Sequence, residues 1–324
     1  MKAILRDAAG ALQISDIEKP ALPSEHHLLV RLAAAGVNPM DVKPRAPYLR
    51  DAAIPGCDGA GIIVATGRKV TRFRIGDAVY FCNGGLGSEP GCYAEYTTLH
   101  EDYCARSPCN IPLQDAAALP LVCITGRNAL KERANIERGQ TVLIHDAAGG
   151  AGHVALQMAH SMGARIAVTV GDERKAGLVH ALGAEKIILH KEQDFVEEAM
   201  KWTDGRGVDV VYDTMGGATF LRSMNAACIG GSIVTLLSPS PEGAELARLR
   251  NLSIFFEMMP PPDIMNLHEE RIRQRKILEE CARQIKAGEL GVLVSHRLPL
   301  EEAEEAHRLI EAGGVMGKII LTMD

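Results

Sequence analysis

The sequence predicts an α/β protein of two domains, and three observations predict it. The chain has 324 residues, too many for one ordinary hydrophobic core. Residues 1–120 are rich in Gly, Pro and short apolar runs, with little helical periodicity, so they read as a mostly β domain. Beyond Gln114, strand and helix patterns alternate, which implies a parallel sheet covered on both faces.

In the first region the strand candidates are His27–Leu32, Gly61–Ala65, Asp77–Phe81 and Tyr93–Thr98. Lys19-Pro20, Pro55-Gly56, Gly84-Gly85 and Pro90-Gly91 supply the turns between them. Asp115–Ala134 reads as a helix pair broken around Pro120 and Gly126. Thr141–His145 is a short apolar strand. The spacing of Ala151, Ala155, Met158 and Met162 predicts a helix over 151–162 with one small, apolar face. Arg165–Val170 is the next strand and Lys175–Leu182 the next helix. Lys186–Leu189, Val208–Tyr212 and Ser232–Leu236 are further buried strands, and Leu252–Glu257 is a sixth at the sheet edge. Pro260-Pro261-Pro262 marks a break. A charged helix at Leu267–Ala287, a strand at Val292–Leu298, a helix at Glu301–Ala312 and a strand at Gly317–Leu321 complete the chain.

Hydrophobic residues make up 47% and charged residues 23%, as in a soluble globular protein. The net charge of −6 lacks the basic footprint of a nucleic-acid binder. No apolar stretch reaches membrane-spanning length, and Met1–Asp16 lacks the pattern of a signal peptide. We therefore expect a cytoplasmic protein with no membrane partner. Eight cysteines without a C-x-x-C pair read as reduced, mostly buried thiols.

The segment His145-Asp146-Ala147-Ala148-Gly149-Gly150-Ala151-Gly152 lies between a strand and a helix. Glycine lets backbone approach a pyrophosphate, and the helix start offers free N–H donors. In the frame Ala147-x-Gly149-x-x-Gly152 the first glycine of the usual fingerprint is alanine, so the turn supports a dinucleotide and little more. The following strand ends at Val170-Gly171, where NAD enzymes usually carry an acid for the ribose hydroxyl. Neutral Gly171 followed by Arg174 and Lys175 favours NADPH over NADH, while Asp172 stands against a phosphate.

The stretches Ala35-Gly36-Val37-Asn38-Pro39-Met40-Asp41, Pro55-Gly56-Cys57-Asp58-Gly59-Ala60-Gly61, Gly76-Asp77-Ala78-Val79-Tyr80, Gly91-Cys92-Tyr93-Ala94-Glu95-Tyr96, Asp146–Gly152, Asp209-Val210-Val211-Tyr212-Asp213, Glu305-Ala306-His307-Arg308 and Gly317-Lys318-Ile319 occur in order over nearly the whole length. With them the chain resembles the zinc-free quinone oxidoreductase, or zeta-crystallin-like, branch of the medium-chain dehydrogenase/reductase superfamily. The resemblance implies a GroES-like, mostly β catalytic domain from residues 1–120 and 265–324, around a Rossmann-type doubly wound domain over 121–264. It implies a nicotinamide in the cleft between them, with Asn38, Tyr48 and Thr125 on the catalytic side. Gly149, Gly150, Ala151, Gly152, Gly171, Arg174, Lys175, His190 and Lys318 would hold the cofactor, Lys175 and His190 at the 2′-phosphate.

Zinc-dependent relatives need Cys, His-Glu and Cys or Asp ligands, where this chain has Asn38, Cys57 and Asp58. Only Cys82 and Cys92 lie where a four-cysteine lobe would be, so no metal is expected. Two departures stand out. Thr125-Gly126-Arg127-Asn128 has a guanidinium where the family carries an aromatic ring, and Asp146 replaces a small residue.

The implied activity is hydride transfer from NADPH to a quinone or an α,β-unsaturated carbonyl, acceptors that tolerate added charge without a Lewis acid. Asn38 is the first candidate for contacts to the developing oxyanion. The alternatives are an NADPH-binding redox sensor or crystallin-like interaction protein with little turnover, and a zinc-type alcohol dehydrogenase. The edge strand near Leu252–Glu257 predicts a homodimer with a continuous sheet. Residues 44–54 and 238–246 are expected to set substrate choice.

Overall fold

The β-branched runs in the middle of the chain have no polar face, and a parallel sheet buried on both sides is what hides them. In the structure, a computed structural model describing residues 1–7, 10–42, 54–85, 89–237 and 242–323, these runs form six strands. Their spatial order is Lys186–Leu189, Arg165–Val170, Thr141–Ile144, Val208–Asp213, Ala227–Thr235 and Ser253–Phe256, with every neighbouring pair parallel. In chain order this is 3-2-1-4-5-6, the doubly wound arrangement. The strand order reverses between Thr141–Ile144 and Val208–Asp213, so the carboxyl ends of these strands flank the crevice where such sheets take ligands. All four residues of Thr141–Ile144 are buried. Leu143, Ala167, Ile188, Phe195, Val211 and Ile233 pack one core of this sheet.

Helices Gly150–Ser161, Glu173–Ala181, Phe195–Trp202, Gly217–Ala226 and Ala244–Leu249 connect the strands. Phe195–Trp202 and Ala244–Leu249 are short, and Gly217–Ala226 mixes Gly, Thr, Phe, Ser and Asn, so none announces itself by propensity. Phe195–Trp202 is started by Asp194, whose carboxylate accepts the N–H groups of Val196 and Glu197 at 2.9 and 3.2 Å. Gly126 does not break a helix as the sequence suggested. It lies within Pro120–Arg127, which runs on into a π-helical turn at Asn128–Arg133. A Cβ on Gly126 would sit 3.1 Å from Met158 Sδ, so the missing side chain serves close packing on Gly150–Ser161.

The β-rich part holds a sheet in the order Val294–Pro299, Lys318–Thr322, His27–Val37, Asp58–Thr66, Ala78–Cys82 and Cys104–Arg106, with Tyr96–His100 also pairing with His27–Val37. Lys318–Thr322 runs antiparallel to His27–Val37, so strands from both ends of the sequence share one sheet. Lys2–Arg6 and Leu12–Asp16 form a separate hairpin. The expected strand at Tyr93 begins later, at Tyr96, because Cys92–Ala94 closes a tight turn and Tyr93 is fully buried. By its internal contacts the chain divides into two units. The first is Met1–Ile124, Met259–Gly288 and Val292–Asp324; the second is Thr125–Met258 and Glu289–Gly291. Among the described residues, no helix is long and apolar enough to cross a membrane.

Candidate active site

In the second unit, the strand Thr141–Ile144 runs into His145, whose ring is buried. Its Nδ1 meets Thr169 Oγ1 at 3.1 Å and its Nε2 meets Ser223 Oγ at 2.9 Å. Burial holds its pKa down to about 4, so the ring is neutral. Asp146 then turns the chain at φ 46°, a left-handed conformation that Asp tolerates better than most residues. Gly149 caps the helix Gly150–Ser161 in extended conformation and offers no capping side chain. The first N–H groups of that helix are thereby left for an anion. Gly152 is required sterically: a Cβ there would lie 2.7 Å from Ala147 Cα and collide with the Asp146 carbonyl oxygen. The sequence-predicted residues Gly149, Gly150, Ala151 and Gly152 thus form one strand–turn–helix cradle.

The adjacent strand, Arg165–Val170, leads into Gly171. Asp172 caps the helix Glu173–Ala181, its Oδ1 accepting the Lys175 amide N–H at 2.9 Å. Its carboxylate is directed at its own helix, which revises the view of Asp172 as a group set against a phosphate. The Lys175 side chain is buried, at 9% exposure. No hydrogen bond or salt bridge reaches its ammonium among the described residues. His190 and Arg174 are exposed, and the His190 amide donates to Val170 O at 3.1 Å. A Cβ on Gly171 would be 3.5 Å from His190 Nε2 and 3.8 Å from Lys191 Nζ. Lys191 was missed in the sequence; its only signal was its place directly after His190.

The Asp146 carboxylate lies against Gly149, where an added Cβ would strike Oδ2. Burial raises its pKa, opposed by the charges of Lys175 and His190. The turn, Lys175 and His190 therefore share one electrostatic neighbourhood.

In the first unit a different group of predicted residues meets. Asn38 follows the strand His27–Val37 and is buried. Its Nδ2 donates to Asp58 Oδ2 at 3.0 Å, and its Oδ1 accepts from Lys318 Nζ. Lys318 Nζ also donates to Val37 O at 3.0 Å and stands 4.0 Å from Asp58 Oδ2. The Asn38 backbone N–H donates to Asp41 Oδ2 at 2.8 Å. Asp41 is fully buried and its pKa is pushed up to about 7, by burial above all. Asn38, the first candidate for contacts to a reacting oxygen, and Lys318, a cofactor-binding candidate, are thus brought together and engage each other. Thr125 is buried within Pro120–Arg127. Tyr48, residues 44–53 and residues 238–241 lie outside the described residues.

Comparison with known proteins bears on both units. The model of the alcohol dehydrogenase GroES-like domain matches residues 24–109, and that of the zinc-binding dehydrogenases matches residues 182–321. A quinone oxidoreductase of Pseudomonas aeruginosa is 29% identical, over 94% of this chain and 93% of that protein. An alcohol dehydrogenase superfamily protein from Novosphingobium aromaticivorans has TM-score 0.92 and 30% identity, covering 100% of this chain and 99% of that one. The chain belongs to the medium-chain dehydrogenase/reductase superfamily. It is an oxidoreductase of the quinone-oxidoreductase-like branch, with a GroES-like domain and a Rossmann-type domain. A branch member from Escherichia coli, a quinone oxidoreductase complexed with NADPH, has TM-score 0.85 at 26% identity, covering 99% of each chain.

The superfamily also raises the question of zinc. Cys57 Sγ, Cys82 Sγ and an Asp58 oxygen lie within 4.8 Å of one another. Yet Asp58 already accepts from Leu121 N at 2.9 Å and from Asn38 Nδ2, and the buried Lys318 ammonium stands beside it. Hydrogen bonding to Cys82 and burial push the Cys57 thiol well up. Cys82 is pushed up to about 12: its hydrogen bond with Cys57 works against the rise, and burial drives it. A donor set that already encloses a fixed cation fits zinc poorly.

Proposed function

We propose that this oxidoreductase transfers a hydride from NADPH to a quinone or α,β-unsaturated carbonyl, with no zinc in the reaction. The observation that carries the cofactor choice is Lys175. Lys175 is 9% exposed, its ammonium meets no hydrogen-bonding or salt-bridging partner among the described residues and so is open to an anion, and it lies four residues after Gly171, where an NAD site would need an acid. The Escherichia coli relative complexed with NADPH supports this reading.

The backbone N–H groups at Gly149–Gly152 would hold the pyrophosphate. Lys175, His190 and Lys191 would hold the 2′-phosphate, with Arg174 at its rim and NADH bound less well. Bound NADPH supplies the hydride. Thr125 and Tyr48 are the candidates for orienting nicotinamide and acceptor. Asn38 acts through position, its amide plane fixed between Asp58 and Lys318. Solvent protonates the reduced product. We place the catalytic domain at residues 1–120 and 265–324 and the cofactor domain at 121–264.

We further propose a cytoplasmic homodimer. Ser253–Phe256 is the edge strand of its sheet, and Phe256, Ile229 and Leu249 are exposed at 56%, 75% and 81%. Such apolar exposure beside an open strand edge suits a second copy of the chain.

The test is an acceptor screen on EDTA-treated protein with excess NADPH, using 9,10-phenanthrenequinone and a 2-alkenal. Oxidation of NADPH with either acceptor is expected. NADPH binding without turnover would favour the redox-sensor reading. Turnover restored only by zinc would favour the zinc-type alcohol dehydrogenase.

A further inference from the structure

The departure at Asp146 has no part in the hydride transfer described above. This residue turns the chain after Thr141–Ile144, and the turn is laid along the end of Arg165–Val170. Ile144 pairs with Val168, and the N–H groups of Asp146 and Ala147 donate to Thr169 Oγ1 and Thr169 O at 3.4 and 3.3 Å. Asp146 therefore stands beside the strand end at Val170-Gly171, where an NAD site would carry its acid. Asp172, the acid nearest Gly171 in sequence, is engaged in capping its own helix. We propose that Asp146 is a cofactor-specificity residue, whose carboxylate accepts the adenosine ribose 2′-hydroxyl of NADH and opposes the 2′-phosphate of NADPH.

The assignment, which rests on Lys175 and His190 as the 2′-phosphate ligands, has three supports. The first is direction. Asp146 is half-buried, and its left-handed backbone at φ 46° holds the side chain over the glycine turn. A Cβ on Gly149 would lie 2.9 Å from Asp146 Cγ. The second is free acceptor capacity. Among the described residues no hydrogen bond or salt bridge reaches the Asp146 carboxylate. An ionised carboxylate only accepts, so a hydroxyl suits it and a phosphate oxygen does not. The third is charge. Lys175 and His190 both favour the ionised form of Asp146, against its burial. They are close enough to act on its charge, and neither is close enough to pair with it. Acid and base therefore stay separate, and a group at the ribose 2′-position is weighed by both. Lys175 and His190 reward a phosphate there, and Asp146 penalises it. Specificity is the difference between two affinities, and an opposing charge narrows that difference here. The acid missing at Gly171 is thus supplied by the neighbouring turn, and the NADPH preference is smaller than the two cations alone would set.

The experiment titrates full-length wild type and Asp146→Asn with NADPH and with NADH at neutral pH, followed by cofactor fluorescence. Asn tolerates the left-handed backbone at this position. Equal melting temperatures without cofactor establish that the variant folds; Asp146→Gly, which suits the same φ, replaces it should it melt early. Asp146→Asn is expected to bind NADPH more tightly and NADH no more tightly than wild type. The ratio of the NADH to the NADPH dissociation constant should rise about tenfold over wild type, the size of one charge-assisted contact. Equal tightening of both cofactors would place the carboxylate against the pyrophosphate that they share. Equal weakening would make Asp146 a structural turn residue. Either result, or a ratio that falls, would overturn the proposal. The wild-type ratio reports separately on the 2′-phosphate reading: tighter NADH binding by wild type would contradict that reading, while the shift produced by Asp146→Asn decides the role of Asp146.

Discussion

Lys175 and Asp41 are both buried ionisable groups, and each makes a separate prediction. Replacing Lys175 by Ala removes the cation proposed to meet the 2′-phosphate. A charge-assisted contact of this type is worth roughly 1.5–3 kcal/mol, so NADPH affinity should fall about 10- to 100-fold with NADH affinity nearly unchanged. Fluorescence titration of both cofactors checks this; an equal loss for both would point to a folding role. Asp41 has a folded pKa of about 7 against an ordinary 3.8. Between these values the native state holds a proton that the unfolded chain has released. Stability therefore declines as pH rises from about 4 to about 7 and levels off above that, with a ceiling on the order of 4 kcal/mol. Asp41→Asn should melt like wild type at pH 4 and distinctly higher at pH 8. A constant difference across that range would contradict the assignment. At this scale the sequence supplied candidates by position alone, Lys175 in the first turn of the helix after Arg165–Val170 and His190 directly after Lys186–Leu189. It was silent where the partner is remote: Lys318 lies 280 positions from Asn38, and only sheet pairing reveals that each engages the other.

The strand–turn–helix at Thr141–Ser161 is the element on which the cofactor reading stands. Gly152→Ala would force a Cβ to within 2.7 Å of Ala147 Cα, a backbone atom that cannot step aside. Overpacking of this kind costs about 1–3 kcal/mol. A melting point lower by several degrees and weakened NADPH binding are expected by scanning calorimetry and titration, and an unchanged melting point would contradict the tight turn. The buried parallel strands were legible because each is a short apolar run between turn signals. Phe195–Trp202, Gly217–Ala226 and Ala244–Leu249 were not, since their helicity comes from packing and caps such as Asp194. The Arg127-Asn128 departure also has a local account. The helix continues as a π turn, Arg127 pairs with Glu132 at 3.1 Å, and Asn128 donates to the buried Glu257 at 3.1 Å.

For the whole molecule, the two-domain α/β organisation followed from length, from the change of pattern near Gln114 and from β segments at both ends of the sequence. The proposed dimer is checked by light scattering: wild type is expected to be dimeric, and Phe256→Lys, with a charge at the exposed sheet edge, monomeric. A wild-type monomer would contradict the edge-strand reading. The central claim is an NADPH-dependent oxidoreductase whose selectivity comes from the cations around Gly171. Its most direct test is a paired fluorescence titration of the wild-type protein with NADPH and NADH at neutral pH. NADPH should bind at least about tenfold more tightly, the margin of one charge-assisted phosphate contact. Equal or tighter binding of NADH would contradict the account.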